Sequence, residues 1–283
     1  MIGINADIFW ISVGVAFLYG AVVGSFLNVC IWRIPREESL VKPPSHCPEC
    51  DTHLRARDLI PLLSFLVSGR RCRYCGAPIS WRYFVVELVS ALLFVTLYLR
   101  LGWSVEFFVY ALFGSALIVA LFVDLDHFII PDQVIALGIV VGLLHNIWQY
   151  VSGGEWLVRP RVPGTDIIVP LPASIAGMLV CAAIFYMIAV LSAKAFKKEA
   201  MGAGDIKLAA AIGANLPLPQ ALLSFFIAVA LGSVIGITLM ILRKKGRRDY
   251  VPFGPMMVAG AIVAILYGET IVHAWLRFYG FAG

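Results

Sequence analysis

Seven apolar runs decide what this chain can fold into. They fall at roughly 11–32, 83–99, 103–123, 133–151, 172–192, 220–242 and 256–276, each close to the ~20 residues a helix needs to cross the hydrocarbon core of a bilayer. In lipid each backbone amide must find its partner within the protein, so runs of this length read as helices. Of the 283 residues 61% are hydrophobic and 14% charged, with mean hydropathy +0.90, whereas about a quarter of an ordinary soluble domain is charged. The expected fold class is an all-α polytopic membrane protein. A short eighth segment, about 206–214, would cross only if its neighbours shelter it, making about eight transmembrane segments. The first run lacks a basic n-region and a small-residue cleavage site ahead of a soluble domain, so it reads as a retained span.

Basic residues set the expected orientation. Taking the spans in order puts 33–82, 193–207 and 243–252 on one side, and these hold 18 of the 22 Lys and Arg. That side is expected to be cytoplasmic. Arg100, Arg159, Arg161 and Arg277 fall on the other, and both termini should face away from the cytosol. A net charge of +5 follows from this topology and needs no nucleic-acid partner.

Residues 33–82 form the one sizeable polar insert, and they hold Cys47-Pro-Glu-Cys50 and Cys72-Arg-Tyr-Cys75. Two C-x-x-C pairs separated by 21 residues have the spacing of a four-thiolate tetrahedral zinc site. Disulfides or a redox pair are the alternative, disfavoured in a cytoplasmic loop. An insert of this size is too small to hold itself together easily, so a metal staple is physically expected. The arginines around it, among them Arg55, Arg57 and Arg70, lie beside an anionic leaflet, which explains them without nucleic acid. Cys30 and Cys181 read as small apolar fillers. Asn28, in the last turns of the first span, reads as a helix-contact amide seeking a partner on another helix. Glu87, one turn into the second span, reads as a buried partner for a nearby Arg such as Arg82.

The candidate chemistry lies in two carboxylates. Met201-Gly-Ala-Gly-Asp-Ile-Lys207 places Asp205 and two glycines where the chain re-enters the membrane. A carboxylate there needs a reason, and intramembrane ionisable groups usually face a protein interior or wet cavity. Gly202 and Gly204, having no Cβ, would permit positive φ or the close approach of another backbone. Alternatively Asp205 is an ordinary helix N-cap. On that stretch alone both readings stand. The third span ends in Phe122-Val-Asp-Leu-Asp-His-Phe-Ile-Ile-Pro-Asp132, which brings Asp124 to the same membrane level on the same side. Two carboxylates sharing a proton can activate water and protonate a leaving group, the chemistry of aspartic dyads. Asp132, after Pro131, is expected to cap the next helix. Asp126 and His127 are solvated or line the pocket. Lys207 is close enough behind Asp205 to tune the pair electrostatically.

With these features placed, the chain resembles the bacterial prepilin peptidases, also called type IV leader peptidases, over nearly its whole length. The motifs that carry the resemblance are GSFLNVCIWRIP (24–35), the two C-x-x-C pairs, DLDHFIIPD (124–132), GAGD (202–205) and PFGP (252–255). The resemblance implies an inner-membrane aspartic endopeptidase that cuts the leader from prepilins and type II secretion pseudopilins on the cytoplasmic face. Asp124 and Asp205 would be its catalytic pair, and Cys47, Cys50, Cys72 and Cys75 its metal ligands. Family members with the cysteine insert also methylate the new N-terminus, using S-adenosylmethionine. No glycine fingerprint marks a pocket for that donor here. Before the second cysteine pair such proteins often read Arg-Gly-Arg or Gly-Gly-Arg, whereas this chain has Gly69-Arg70-Arg71, with the glycine one position early. The expected organisation is a first span at 1–32, a cytoplasmic zinc-binding insert at 33–82 and a multi-span peptidase domain at 83–283. A proton- or cation-relaying transporter and a zinc-bearing scaffold are the competing classes. The first would place its carboxylates near the midplane and show an internal repeat, and the second would need neither aspartate.

Overall fold

The computed structural model describes residues 6–158, 170–196, 201–242 and 252–280. The basic run at 243–248, Lys197, Lys198, Glu199, Arg159 and Arg161 therefore lie outside the described residues. The chain divides into two compact units, one ending at Val119 and the other starting at Ala120. Seven described helices are long and apolar enough to cross a membrane.

The first unit is built on helices α1 (Ala6–Arg33) and α3 (Trp81–Leu101), which pack directly together. Small residues make that contact close. A Cβ on Gly20 would sit 2.8 Å from Ala91 Cα, and one on Gly24 2.7 Å from Glu87 Cα, the kind of approach by which helices associate where no hydrophobic effect drives them together. Asn28 has the interhelical role expected of it, its Nδ2 donating to the Tyr83 carbonyl at 3.0 Å. Ser80 starts α3 by accepting from the Arg82 amide, and Gly102, at φ 62°, ends it. The 105–119 part of α4 (Val105–His127) completes the unit, Phe107 meeting Phe94 and Trp103 edge-on.

Between α1 and α3 lies the insert. Arg33 is buried at the end of α1, and its guanidinium turns the chain back by donating to the carbonyls of Ser39 and Pro43. The short helix α2 (Leu63–Val67) docks Phe65 against Trp81 and Phe84 at the start of α3. Leu62, just before α2, takes a left-handed φ of 61° although it is not glycine. Glu87 stabilises that turn. Its Oε2 accepts the Leu62 amide at 2.7 Å, a backbone partner that the sequence expectation did not include.

The second unit holds the end of α4 with α5 (Asp132–Val151), α6 (Ala173–Phe196), α7 (Ala203–Asn215), α8 (Leu218–Ile241) and α9 (Gly254–Phe278). A two-residue antiparallel pair, β1 (Leu157–Val158) and β2 (Leu171–Pro172), leads into α6. At 13 residues α7 spans about 20 Å, short of a ~30 Å core. It is the sheltered short segment. Every residue from Leu208 to Asn215 is buried, because α5 and α6 close on it through backbone contacts that only glycines permit: Gly142 of α5 lies against the Ala214 carbonyl, and Gly177 of α6 against Gly213. Asn215 finishes α7 by donating to the Gly138 carbonyl of α5 at 2.7 Å and to Ala211 at 2.8 Å. Gly260 allows the same intimacy between α9 and Ser224 of α8.

Candidate active site and metal centre

Asp124 and Asp205 are both almost fully buried, at 4% and 6% exposure, and both belong to the second unit. Helix α4 delivers Asp124 one turn before its end, where Phe128 reverses the chain at φ 57° and its amide returns to the Asp124 carbonyl. Asp205 is the third residue of α7, whose N-cap is Gly202. Asp124 lies beside the Gly254 backbone and Asp205 beside that of Gly202. The two side chains are near enough for the charge of Asp124 to act on Asp205.

Asp205 is thus not the N-cap that its position allowed; it is the third residue of the first turn, behind the N-cap Gly202. The two glycines of GAGD also work differently from the sequence expectation. Neither has positive φ, and Gly202 sits at φ −73° and ψ 150°, open to any residue. A Cβ on Gly204 would lie 3.3 Å from Ile130 Cβ, so close approach is its reason; a Cβ on Gly202 would make only an ordinary contact with Asp205 Oδ2, at 3.8 Å.

Two further residues shape the site. Gly254 is required by Asp124, since a Cβ there would stand 2.5 Å from Asp124 Oδ2. Its sequence signal was its place in the PFGP motif, 252–255. Ile130 touches both Gly204 and Gly254 and gave no signal beyond its place in DLDHFIIPD. Asp132 does not cap α5, whose N-cap position is Pro131; its carboxylate is 2.6 Å from Lys207 Nζ. Lys207 is therefore engaged with Asp132 and not with the pair. An apolar trough of about 340 Å³ is lined by Leu125, Leu231, Ile235, Pro252, Pro255 and Met256 among others.

In the insert, all four sulfurs of Cys47, Cys50, Cys72 and Cys75 lie within 4.8 Å of one another, and none is in a disulfide. Tetrahedral Zn–S bonds of ~2.3 Å put sulfurs about 3.8 Å apart, and Cys47 and Cys75 stand at 3.9 Å. The donor set fits a zinc ion. The two C-x-x-C turns are built alike. Each first cysteine accepts from the amide four residues on, Asp51 at φ 52° and Gly76 at φ 77°. A matching longer bond closes each, from Leu54 to Ser45 and from Ile79 to Arg70. Such left-handed turns expose successive amides to a metal-bound thiolate. Asp58 links the stretch between them to the second turn, accepting from Tyr74 Oη at 2.7 Å and pairing with Arg73. The Tyr74 hydroxyl, with the Arg55 amide and Arg73, holds its carboxyl below the usual carboxylate range. Arg70 occupies a left-handed turn, φ 62°, and lays its guanidinium over Trp81 at 4.8 Å.

Residues 18–101 match the model of the bacterial peptidase A24 N-terminal domain, and residues 111–237 match that of the type IV leader peptidase family. The chain is 33% identical over 263 residues to a prepilin leader peptidase/N-methyltransferase of Bacillus subtilis (strain 168), covering 93% of this chain and 97% of that protein. It is 33% identical over 295 residues to the enzyme of the same name from Aeromonas hydrophila, with 94% of each covered. A type 4 prepilin-like proteins leader peptide-processing enzyme of Escherichia coli O78:H11 (strain H10407 / ETEC) is 35% identical over 270 residues, covering 87% of this chain and 90% of that one. No solved structure matches.

Proposed function

Because this chain belongs to the type IV leader peptidase family, we propose that it cleaves the leader from prepilins and pseudopilins at the cytoplasmic face of the inner membrane, with Asp124 and Asp205 as the catalytic pair. The observation that carries this reading is two buried carboxylates in mutual electrostatic reach, each beside a glycine. Like charges so placed are relieved when they share one proton. The ionised member takes a proton from water, whose oxygen attacks the scissile carbonyl carbon, while the protonated member prepares to give its proton to the leaving nitrogen. When the C–N bond breaks, that proton passes to the amine, and the pair again holds one proton. We place an extended substrate backbone over Gly202, next to Asp205, and apolar side chains of the same peptide in the trough that Leu125 and Pro255 help to line.

The second activity is N-methylation of the new terminus, with S-adenosylmethionine as donor. Cys47, Cys50, Cys72 and Cys75 would hold zinc, which would supply folding energy to the insert. The partners are the pilin precursors and the bilayer. Incubating purified protein with a short-leader prepilin, with and without S-adenosylmethionine, tests this: a cut product, methylated only with the donor, is expected. An uncut precursor would leave the transporter and scaffold readings standing.

A further inference from the structure

Two contacts join the segments that bear the carboxylates. One is the ion pair between Lys207 Nζ and Asp132 Oδ1 at 2.6 Å. Lys207 follows Asp205 in the first turns of α7, while Asp132 opens α5 at the far end of the short loop that leaves Asp124, so the pair ties one carboxylate's helix to the other's exit loop. The second contact is apolar. Ile130, in that loop, faces Gly204 on one side and Gly254 on the other, each within 3.3 Å of where a Cβ would stand. Its side chain therefore fills the space between the turn that carries Asp205 and the turn at Gly254, against which the Asp124 carboxylate rests. Phe128, at φ 57°, sets the direction in which the loop leaves α4.

The charges of Asp132 and Lys207 are largely exposed, and an exposed ion pair adds little to stability. Its geometric effect is another matter. Displacing a catalytic group by about 1 Å can lower a rate on the order of a hundredfold. We propose that Asp132 and Lys207 are positioning residues, a latch that, with Ile130 as its spacer, fixes the separation of Asp124 and Asp205. This rests on the reading of those two aspartates as the catalytic pair.

The test uses the full chain in lipid nanodiscs with a short-leader prepilin as substrate. Asp132→Lys and Lys207→Asp should each lower kcat about tenfold, with KM within about twofold and thermal unfolding nearly unmoved. The double reversal, Asp132→Lys with Lys207→Asp, should recover most of the rate. Asp132→Asn and Lys207→Gln, which introduce no repulsion, should show a smaller loss of the same kind, and Ile130→Ala should lower kcat without raising KM. Lys194→Gln, a charge change elsewhere, should be silent. Single variants with normal kcat, a rise in KM in place of a fall in kcat, or a double reversal no better than its parents would overturn the latch. Asp205→Asn is run alongside: if it still cleaves, the catalytic reading itself fails, whereas an inactive Asp205→Asn beside normal latch variants removes the latch alone.

Discussion

At Gly254 a hydrogen atom stands where any other residue would place a methyl group 2.5 Å from Asp124 Oδ2. Substitution must push that carboxylate aside, and catalytic groups tolerate little displacement. Gly254→Ala should therefore cut leader cleavage at least tenfold in a protein that still folds, with the unfolding temperature as the control. Gly204→Ala asks only that Ile130 yield a few tenths of an ångström, and should cost less. Gly202→Ala meets no obstacle in the free enzyme, so a loss there should appear as raised KM, the mark of a substrate backbone passing over it; an unchanged KM would contradict that placement. The aspartates were legible in sequence because a carboxylate at membrane depth is costly and needs a purpose. Gly254 and Ile130 were not, since their roles arise from contacts between segments far apart in the chain. Glu87 shows the same limit: it accepts the Leu62 amide, and a backbone amide leaves no residue type to find.

Among the elements, the insert and α7 illustrate two ways of holding a segment that cannot hold itself. The insert depends on its thiolates. Purified protein should carry about one zinc, and Cys47→Ser or Cys72→Ser should loosen 33–82, read as faster proteolysis there, while the spans stay folded. Intact protein free of zinc with all four thiols titratable would refute this. Asp58 adds a pH-dependent tie. Because its folded carboxyl titrates below the ordinary range, its contribution is complete above the unfolded value of about 4 and disappears as pH falls through the lower folded one. Asp58→Asn should accordingly loosen the insert at neutral pH, and the gap between variant and parent should close in acid. The cysteine spacing announced this element, but the resemblance between its two turns lies in a left-handed backbone angle that Asp51 and Gly76 share. Helix α7 was read as too short to cross unless sheltered, and the shelter is made by glycines on α5 and α6 whose partners sequence does not name.

For the molecule as a whole, the seven long helices were the most legible feature, since length and hydropathy are properties of each run alone. The orientation is the further step, and it rests on the 18 basic residues assigned to one side. A reporter fused in the 152–171 loop should read as outside the cytosol and one near Arg247 as inside; the reverse would put both aspartates on the wrong face for a cytoplasmic cut. Central to the account is that Asp124 and Asp205 act as one unit, dividing acid and base roles that neither performs alone. Asn keeps the size and much of the hydrogen bonding of Asp but cannot ionise, so it probes protonation and not packing. The most direct measurement is leader cleavage by Asp124→Asn, Asp205→Asn and the double variant, each supplied in parallel with a peptide already cut to confirm that methylation persists. Each single change should abolish cleavage, and the double should be no worse than either. Near-normal processing by either single variant would contradict the account.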